Sequence, residues 1–458
     1  FEKAIAIKPD YVEARHLLAA SAGETTKTAP REYVENLFDS YASKFDQSLT
    51  GTLNYNIPKE LAKIIKTNQF IDPIGSVLDI GCGTGLLGVE IEQYCNNLEG
   101  IDANATAFAA GSVLALAIDN AQEADQDLWK KIVELGWTGI RVPEAYEGLG
   151  LGHLELCVIA EELGRSLAPV PFSSSVYFFT EALIKFASED IKLDLLPKLV
   201  SGEVVGTYAI AEDMHQATES NLNVAVASDK LSGTKIAVPD AGMASHMVVV
   251  VKSSTGTDLR LVDLADASIT VTPQKNLDTS RAFFKVEFQD TPSKLIGNAG
   301  EGWSNIQHLL DQAAVLFAFE QVGGSQSALD MAKAYSMERF AFGRQIGSYQ
   351  AIKHKLADMY IAVTLAKSNC YYGAWALSSE SSELPLAAAT ARVSATKAFQ
   401  LCSKENIQTH GGNGFTWEYD CHLFYKRSKV LSVLLGSEAT WKEKLVTNLE
   451  KTNTLVKG

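Results

Sequence analysis

The hydrophobic pattern changes its period twice along most of the chain. Residues 105–205 place apolar side chains at helical spacing. Between 206 and 298 the period shortens to two, as in 284–288, where phenylalanine and valine alternate with charged side chains. Helical spacing returns over 299–458. This order predicts a helical domain, then a β domain, then a bundle of long antiparallel helices.

Shorter patterns predict individual elements within these domains. Apolar residues recur every three or four positions between 352 and 363, which predicts a long amphipathic helix. Gly373 and Pro385 are the predicted interruptions of this last helical section. The runs 247–251 and 268–272 are bounded by turn residues, so they are predicted strands.

The first hundred residues follow a different pattern. Residues 1–22 have two helical segments around a Lys-Pro-Asp turn, and one such unit would not bury its own apolar face. An apolar run at 76–80 enters a glycine-rich turn at 81–85, and a second run, 98–101, ends at Asp102. A strand that leads into such a turn predicts the start of a doubly wound α/β sheet. Further strand–helix units of that sheet are missing from the sequence that follows.

Composition and charge narrow the function classes. The net charge of −15 argues against nucleic acid or an anionic membrane as the main partner. Six cysteines without a C-x-x-C pair favour reduced thiols, hence a cytoplasmic location, and indicate no metal site. No apolar run is long enough to span a bilayer. Because the chain starts at Phe1, we expect it to be part of a longer reading frame.

Arginines and aromatic residues cluster between two of the predicted long helices. Arg339 and Arg344 flank Phe342 and Gly343, and Gln350 follows. Guanidinium groups match phosphate oxygens in bidentate geometry, and a phenylalanine can pack on an adenine or flavin ring. The cluster therefore predicts a site for a phosphate-bearing ligand, although charged helix ends are commonly only solvated.

A glycine cluster at 411–414 follows another predicted helix. Gly411 and Gly412 would offer bare backbone N–H groups to an anion, and Gln408 and His410 would hydrogen-bond the same ligand. Two alternatives stay open from the residues alone: a helix C-cap for the glycines, and a buried, internally satisfied histidine.

These two stretches together resemble the acyl-CoA dehydrogenase family. So do LGWTGIRVPEAYEGLGLG at 135–152, EELGRSLAPVP at 161–171 and GEGW at 300–303. The similarity follows one order over about residues 115–458. It implies a fold with an α-helical domain, a β-sheet or barrel domain and a C-terminal four-helix bundle.

The resemblance also implies a cofactor, partners and site residues. Family members bind FAD, remove hydrogen from the α and β carbons of an acyl-CoA thioester, and assemble as homo- or hetero-oligomers. An electron-transfer flavoprotein is an implied electron acceptor. By motif, the FAD contacts would be Arg339, Phe342, Gln350, Gln408, Gly411 and Gly412.

The N-terminal region resembles other families. Residues 1–22 are similar to a tetratricopeptide-repeat junction. The string LDIGCGTGLLG, followed by GID, resembles class I S-adenosylmethionine methyltransferases, and it implies a partial Rossmann-like fragment over 30–104. Its cofactor residues would be Asp79, Gly81, Gly83, Gly85 and Asp102.

The sequence departs from the dehydrogenase family at the catalytic base. The usual glutamate position is taken by Leu435, and the known alternative position by Ala313. Glu438 and Glu320 are the substitute candidates, each with an ordinary ion pair as the alternative role. Two flavin-contacting turns are also atypical, at 211–214 and at 237–239.

The sequence thus divides into five segments: 1–22, 30–104, 105–205, 206–298 and 299–458. Three hypotheses follow for the whole chain. The first is a divergent FAD-dependent acyl-CoA dehydrogenase without the usual glutamate. The second is a non-catalytic FAD-binding subunit of a hetero-oligomeric dehydrogenase. The third is a methyltransferase with a flavoprotein-like appendage, which the missing strands argue against. Independently of these hypotheses, we expect the junction near residue 104 to be recent or the result of misjoined fragments rather than part of an evolved bifunctional enzyme.

Overall fold

The computed structural model describes residues 74–80, 95–101 and 125–452. The chain divides into two compact units after Asn104, where the sequence changes character. In the first unit, strand β1 (Ile74–Ile80) pairs in parallel with strand β2 (Cys95–Ile101). Both strands extend the predicted apolar runs at their N-terminal ends. The repeat-like segment 1–22 lies outside the described residues.

The second unit begins with short helices around an aromatic core. They are α1 (Gln126–Glu134), α2 (His153–Arg165), α3 (Glu181–Phe186) and α4 (Glu189–Val200). Asp125 caps α1, because its carboxylate accepts a 2.7 Å hydrogen bond from the Leu128 amide. A π-helical turn, Ser173–Thr180, precedes α3 and is buried throughout.

The β domain follows. Its strands are β3 (Gly206–Ala209), β4 (Ala225–Ala227), β5 (Lys230–Pro239), β6 (His246–Ser253), β7 (Gly256–Asp263), β8 (Ile269–Gln274), β9 (Phe283–Pro292) and β10 (Lys294–Ile296). They form one sheet in the order β10-β7-β6-β4-β5-β9-β8, with β3 paired to β6 in parallel. Met247, Val249 and Val251 of β6 share a core with Val286 of β9. The predicted strand 247–251 lies within β6, and the predicted strand 268–272 overlaps β8 from residue 269 onward.

Long helices form the C-terminal domain. They are α5 (Gly302–Glu338), α6 (Gln350–Ser378), α7 (Leu384–His410), α8 (Cys421–Val433) and α9 (Glu438–Thr452). A two-residue-per-strand hairpin, β11 (Phe340–Ala341) and β12 (Arg344–Gln345), lies between α5 and α6. The helical, β and helical order confirms the predicted fold of this unit.

One predicted helix break was wrong. Gly373 lies inside α6, and the chain turns only after Ser378, with Pro385 in the first turn of α7. A Cβ atom at Gly373 would lie 3.2 Å from a methyl carbon of Val315 and 3.3 Å from the Cβ of Ala391. The glycine therefore allows α6 to pack closely against α5 and α7, rather than ending the helix.

Buried ion pairs join the β domain to the helices on both sides. Arg427 of α8 pairs with Asp278 from the β8–β9 loop, and both side chains are 1% exposed. Although burial alone would raise it, the neighbouring guanidinium holds the pKa of Asp278 below its usual value. From the same loop, Arg281 donates to Ser173 Oγ at 2.6 Å and to Glu320 of α5 at 3.2 Å.

We expect Arg427→Met to lower the free energy of unfolding by about 3–5 kcal/mol, because Asp278 would stay buried without its partner. Urea denaturation measures the change. The double variant Asp278→Leu with Arg427→Met should recover much of the loss.

Lys198→Met is the matched control, because it breaks the exposed Lys198–Asp194 pair at 2.7 Å and should cost at most about 1 kcal/mol. Equal losses in Arg427→Met and Lys198→Met would contradict the role of the buried pair.

Candidate functional site

A cavity of about 450 Å³ lies where the β domain faces α5 and the loop after α8. Tyr208 of β3 and Ala237 of β5 form its wall on the sheet side, and residues 433–437 close it from the bundle. A concave, mostly apolar space of this size is suited to a small-molecule ligand.

Helix α5 contributes one face to the cavity. Trp303, Gln307 and Leu310 recur at four- and three-residue spacing and all line the wall. The helix starts directly against β7, where a Cβ atom at Gly302 would lie 2.5 Å from the carbonyl carbon of Asp258. Glycine is therefore required at the start of this helix. The second glycine of the GEGW motif is thus explained by close packing against β7.

The loop after α8 brings Leu435 to the cavity wall in a left-handed conformation. Leu435 has φ +64° and Gly436 has φ +115°. Arg392 of α7 fixes this loop from inside the bundle, since its guanidinium donates to the Leu434 carbonyl at 2.7 Å and also to the Leu431 carbonyl. Another nitrogen of Arg392 donates to Gln321 at 2.7 Å.

The substitute carboxylates lie away from this wall. Glu438 forms a 2.5 Å ion pair with Lys442, one turn further along α9. Glu320 is 2% exposed and pairs with Arg281 behind the cavity. Neither side chain lines the cavity, and no carboxylate does among the described residues. Ala313, at the alternative base position, is fully buried within α5.

The ionisable side chains on the described wall are Tyr208 and His215. Burial raises the pKa of Tyr208, whose hydroxyl has no hydrogen-bond partner. His215 lies on the loop after β3 with its side chain 83% exposed, and its Nδ1 is 3.2 Å from a carboxylate oxygen of Asp213. Hydrogen bonds from the backbone and ring of His215 lower the pKa of Asp213.

An internal ion pair shapes the same loop. Lys235 of β5 is fully buried and donates to Glu212 at 2.8 Å and to the Ile210 carbonyl at 2.9 Å. Glu212 also accepts hydrogen bonds from the amides of Asn223 and Val224. Burial lowers the pKa of Lys235 to about 8, against the opposing effect of Glu212. The carboxylate of Glu212 is therefore occupied by these bonds, which hold the loop in place.

The predicted FAD residues at the start of α6 protrude from the chain. Phe342 and Gly343 are the central residues of the β11–β12 hairpin, with φ of +52° and +80°. Phe342 is 96% exposed, and Arg339 and Gln350 are also exposed. An aromatic side chain without cover on its own chain is suited to contact with another molecule.

The second predicted set lies around the turn that ends α7. Gln408, Gly411 and Gly412 line a cavity of about 320 Å³ together with Phe415 and Tyr425. A Cβ atom at Gly411 or Gly412 would meet no atom within 4 Å, so the backbone faces open space.

His410 is not part of this open surface. It is 5% exposed, its Nδ1 is 2.9 Å from the Asn406 carbonyl oxygen, and its ring stacks on Tyr335 at 4.1 Å. The alternative of a buried histidine is the one that the structure shows. The Tyr335 hydroxyl also accepts a bond from Asn413, which brings the glycine turn close to the hairpin after α5.

Family models match two parts of the chain. Residues 97–203 match the acyl-CoA dehydrogenase N-terminal domain, and residues 300–449 match the acyl-CoA dehydrogenase C-terminal domain. The chain belongs to the acyl-CoA dehydrogenase family. Members of this family are FAD-dependent flavoproteins that oxidise acyl-CoA thioesters.

Individual relatives agree with this assignment. The chain is 29% identical over 339 residues to acyl-CoA dehydrogenase IpdE2 of Mycolicibacterium smegmatis, covering 74% of this chain and 93% of the relative. Butyryl-CoA dehydrogenase of Megasphaera elsdenii shares the fold with a TM-score of 0.70 at 22% identity, covering 76% and 96% of the two chains. A chain of the ChsE4-ChsE5 complex from Mycobacterium tuberculosis shares it with a TM-score of 0.65 at 24% identity, covering 75% and 97%.

The open glycine backbone and the uncovered hairpin fit the dinucleotide cofactor of the family. The Gly411 amide donates to the Gln408 carbonyl, so this glycine is the C-cap of α7 that the sequence left open as an alternative. The space above Gly411 and Gly412 is free for adenosine or phosphate oxygens, and Phe342 offers a free ring face. When bound, FAD supplies the hydride acceptor of the reaction. The assignment of individual FAD contacts to Arg339, Phe342, Gln350, Gln408, Gly411 and Gly412 stays a prediction.

The predicted methyltransferase site cannot be built from the described residues. Asp79 lies in β1, while Gly81, Gly83, Gly85 and Asp102 lie outside the described residues. Within residues 125–452 and the two N-terminal strands, no cluster of three metal-ligating side chains occurs. None of the helices described is long and apolar enough to cross a membrane.

Sequence reasoning missed Arg392 and His215. Arg392 lies in the middle of an alanine-rich helix, and only the fold shows that it reaches the carbonyls of a loop about 40 residues later. His215 lies in the atypical turn region near 211–214, where the departure from the family pattern was the available signal.

We expect Gly412→Val to lower the FAD content without destabilising the chain. The side chain would extend into open space, so the unfolding temperature should stay within about 2 °C of wild type. The flavin absorbance per chain after reconstitution with excess FAD, compared with wild type treated in the same way, measures the loss, which should exceed half. Gly373→Val, which collides with Val315 and Ala391, is the opposite control, because it should lower stability. Unchanged flavin content in Gly412→Val would remove this turn from the cofactor site.

The buried Lys235 predicts a pH effect on stability. Its folded pKa of about 8 lies below the ordinary value of 10.5, so the unfolded chain binds more protons between these values. Relative to Lys235→Met, wild type should therefore gain stability as the pH rises from 8 to 10.5, by up to about 3 kcal/mol. Urea titrations of both proteins across this range measure the difference. A constant difference between them would contradict the depressed pKa.

Proposed function

We propose that this chain is a divergent acyl-CoA dehydrogenase subunit that binds FAD together with a partner and lacks its own catalytic carboxylate. The single observation that supports this most is the absence of any carboxylate from the described wall of its cavity, where Leu435 occupies the loop position of the usual base. The α-proton of a thioester is weakly acidic, so its removal needs a base held close and away from water.

The backbone at Leu435 is held in an unfavourable conformation by its surroundings. A non-glycine residue at φ +64° is unfavourable and persists only where its surroundings hold it. Arg392 supplies that restraint through the carbonyls of Leu431 and Leu434, which directly precede the bend. The cavity therefore has the form of an acyl-thioester site whose wall ends in an isobutyl group instead of a carboxylate.

Partner dependence has two supports. Phe342 projects from its own chain with 96% of its surface exposed, which suits a cofactor bound mainly by a neighbour. The fold is also that of a chain from a complex of two differently named proteins, ChsE4 and ChsE5. We infer a hetero-oligomer in which a related chain supplies the carboxylate, and an electron-transfer flavoprotein as a suitable electron acceptor.

A second candidate function rests on His215. Its ring lies on the cavity wall, and Asp213 holds Nδ1, which leaves Nε2 free to accept a proton. In this version the chain is a complete dehydrogenase in which a histidine–aspartate pair replaces the glutamate. The 83% exposure of the ring argues against it, because an exposed base is accessible to water.

Leu435→Glu tests the missing base directly. We expect wild type loaded with FAD to keep its yellow absorbance when acyl-CoA thioesters of short, medium and long chain are added. Leu435→Glu should gain substrate-dependent bleaching, and Leu435→Gln, which has the same size without a basic carboxylate, should not. Stopped-flow absorbance of the flavin band measures all three proteins.

Two results would change the proposal. Bleaching by wild type alone would contradict it, and loss of that bleaching in His215→Gln would establish the histidine version. Stoichiometric FAD in the chain purified alone would contradict partner dependence. Co-expression with a homologous chain that carries the glutamate should raise FAD per chain severalfold. The methyltransferase hypothesis stays a prediction, because four of its five predicted cofactor residues lie outside the described residues.

A further inference from the structure

Helix α6 is uncharged on two opposite faces over residues 359–378. One face, which includes Met359, Val363 and Cys370, is buried against the other helices of its domain. On the opposite side, every residue that is exposed between 359 and 378 is uncharged. The charged residue of this stretch, Lys367, lies at the edge between the faces and pairs with Glu161 of α2 at 2.7 Å. A helix without a charged outer face is normally buried on all sides, so the outward side of α6 calls for a cover.

The outward side has the pattern of a helix-packing seam. We call it the α6 face, and its residues are Tyr360, Ile361, Thr364, Leu365, Ser368, Tyr371 and Trp375. Positions 361, 364, 368, 371 and 375 are separated alternately by three and four residues. This spacing keeps one line of side chains directed at a neighbouring helix, as in coiled coils.

The α6 face is large enough to hold a protein partner. Its five large side chains, which exclude Thr364 and Ser368, are each between 50% and 62% exposed. Because an aromatic side chain has about 150–250 Å² of surface, the five together expose about 500–600 Å². This is the upper end of the range for the largest apolar patch of a monomer, about 300–600 Å². It is also most of the roughly 800 Å² that each partner buries in an interface of standard size.

The order of side chains on the α6 face fits a second copy that runs antiparallel. If a two-fold axis passes at Ser368, Ile361 of one copy faces Trp375 of the other. Leu365 of one copy then faces Tyr371 of the other. Both contacts pair an aliphatic side chain with an aromatic one, and the small Ser368 allows the helices to come close where they cross. A parallel pair would instead place each aromatic ring against its own equivalent.

Charge is compatible with pairing of identical chains at this place. Each copy carries a net charge of −15, so two copies repel each other where their acidic surfaces meet. The exposed positions of the α6 face are uncharged, so contact there brings no like charges together.

We propose that the α6 face packs antiparallel against the α6 face of a second copy of this chain. The contact includes no residue of the hairpin at Phe342 and none of the cavity at Leu435. It therefore goes beyond the proposed dehydrogenase function and does not rest on it.

A cysteine placed on the two-fold axis tests the arrangement in the full chain. Under mild oxidation with copper phenanthroline, Ser368→Cys should form a disulfide-linked dimer in more than half of the chains. Thr364→Cys is the matched control, because its two copies would be about 12 Å apart along the helices. A disulfide needs Cα atoms within about 7 Å, so this variant should cross-link at least about fivefold less. Wild type treated in the same way gives the background from the native cysteines.

Charge substitutions test the contact without a cross-link. Leu365→Glu and Tyr371→Lys should each weaken self-association at least about tenfold, because each places a charge in an apolar contact. An equal mixture of the two variants should associate again, since the new glutamate of one copy faces the new lysine of the other. In a parallel pair the mixture would stay dissociated. Leu193→Glu, at a similarly exposed leucine of α4, is the control and should leave the mass unchanged. Sedimentation velocity measures the mass of each sample, and the unfolding temperature confirms that the variants fold.

Four outcomes would overturn the proposal. They are a monomeric wild type at micromolar concentration, equal cross-linking of Ser368→Cys and Thr364→Cys, a mass that Leu365→Glu leaves unchanged, and a mixture that does not reassociate. Cross-linking of Ser368→Cys to a co-expressed related chain instead of its own copy would likewise overturn it and assign the α6 face to that chain. None of these measurements depends on flavin, so failure here is distinct from failure of the missing-base proposal.

Discussion

The loop between β8 and β9 is the constraint on which the arrangement of this protein depends. Its Asp278 and Arg281 form buried ion pairs with α8 and α5, and Arg281 also contacts the π-helical turn before α3. Removing charges from water is expensive, so these pairs are tolerable only in one geometry, with every partner in place. One β-domain loop thereby fixes both helical regions.

Another buried arginine, Arg392, holds the loop after α8. Arg392 has no carboxylate as a direct partner, and burial lowers its pKa to about 10. It instead uses two backbone carbonyls and Gln321, whose side chain is in turn held by Thr396. A loop held this firmly keeps its left-handed bend whichever side chain stands at its tip.

Much of the fold was predictable, because the period of the hydrophobic pattern indicates which face of each helix or strand is buried. The strands 247–251 and 268–272 and the long helices followed from it. The error at Gly373 has a physical reason, since a glycine can serve close helix packing as well as a turn, and only the neighbouring helix distinguishes them. Of the candidate site, the glycine turn and the hairpin were found through motifs. Arg392 and His215 were not, because their contacts join residues far apart in sequence.

The cavity at Leu435 and the hairpin at Phe342 differ in whether a neighbouring chain is needed to complete them. The cavity at Leu435 is partly open to solvent and is lined by one chain, with the sheet, α5 and the loop after α8 all contributing. The hairpin at Phe342 is not, because its aromatic tip touches almost nothing of its own chain. A chain whose cavity is lined by one subunit, and whose predicted cofactor contact at Phe342 is uncovered, would bind the cofactor in an assembly whether or not its cavity carries a base. The frame does not depend on the side chain at position 435, because the buried ion pairs that hold the frame do not involve that loop.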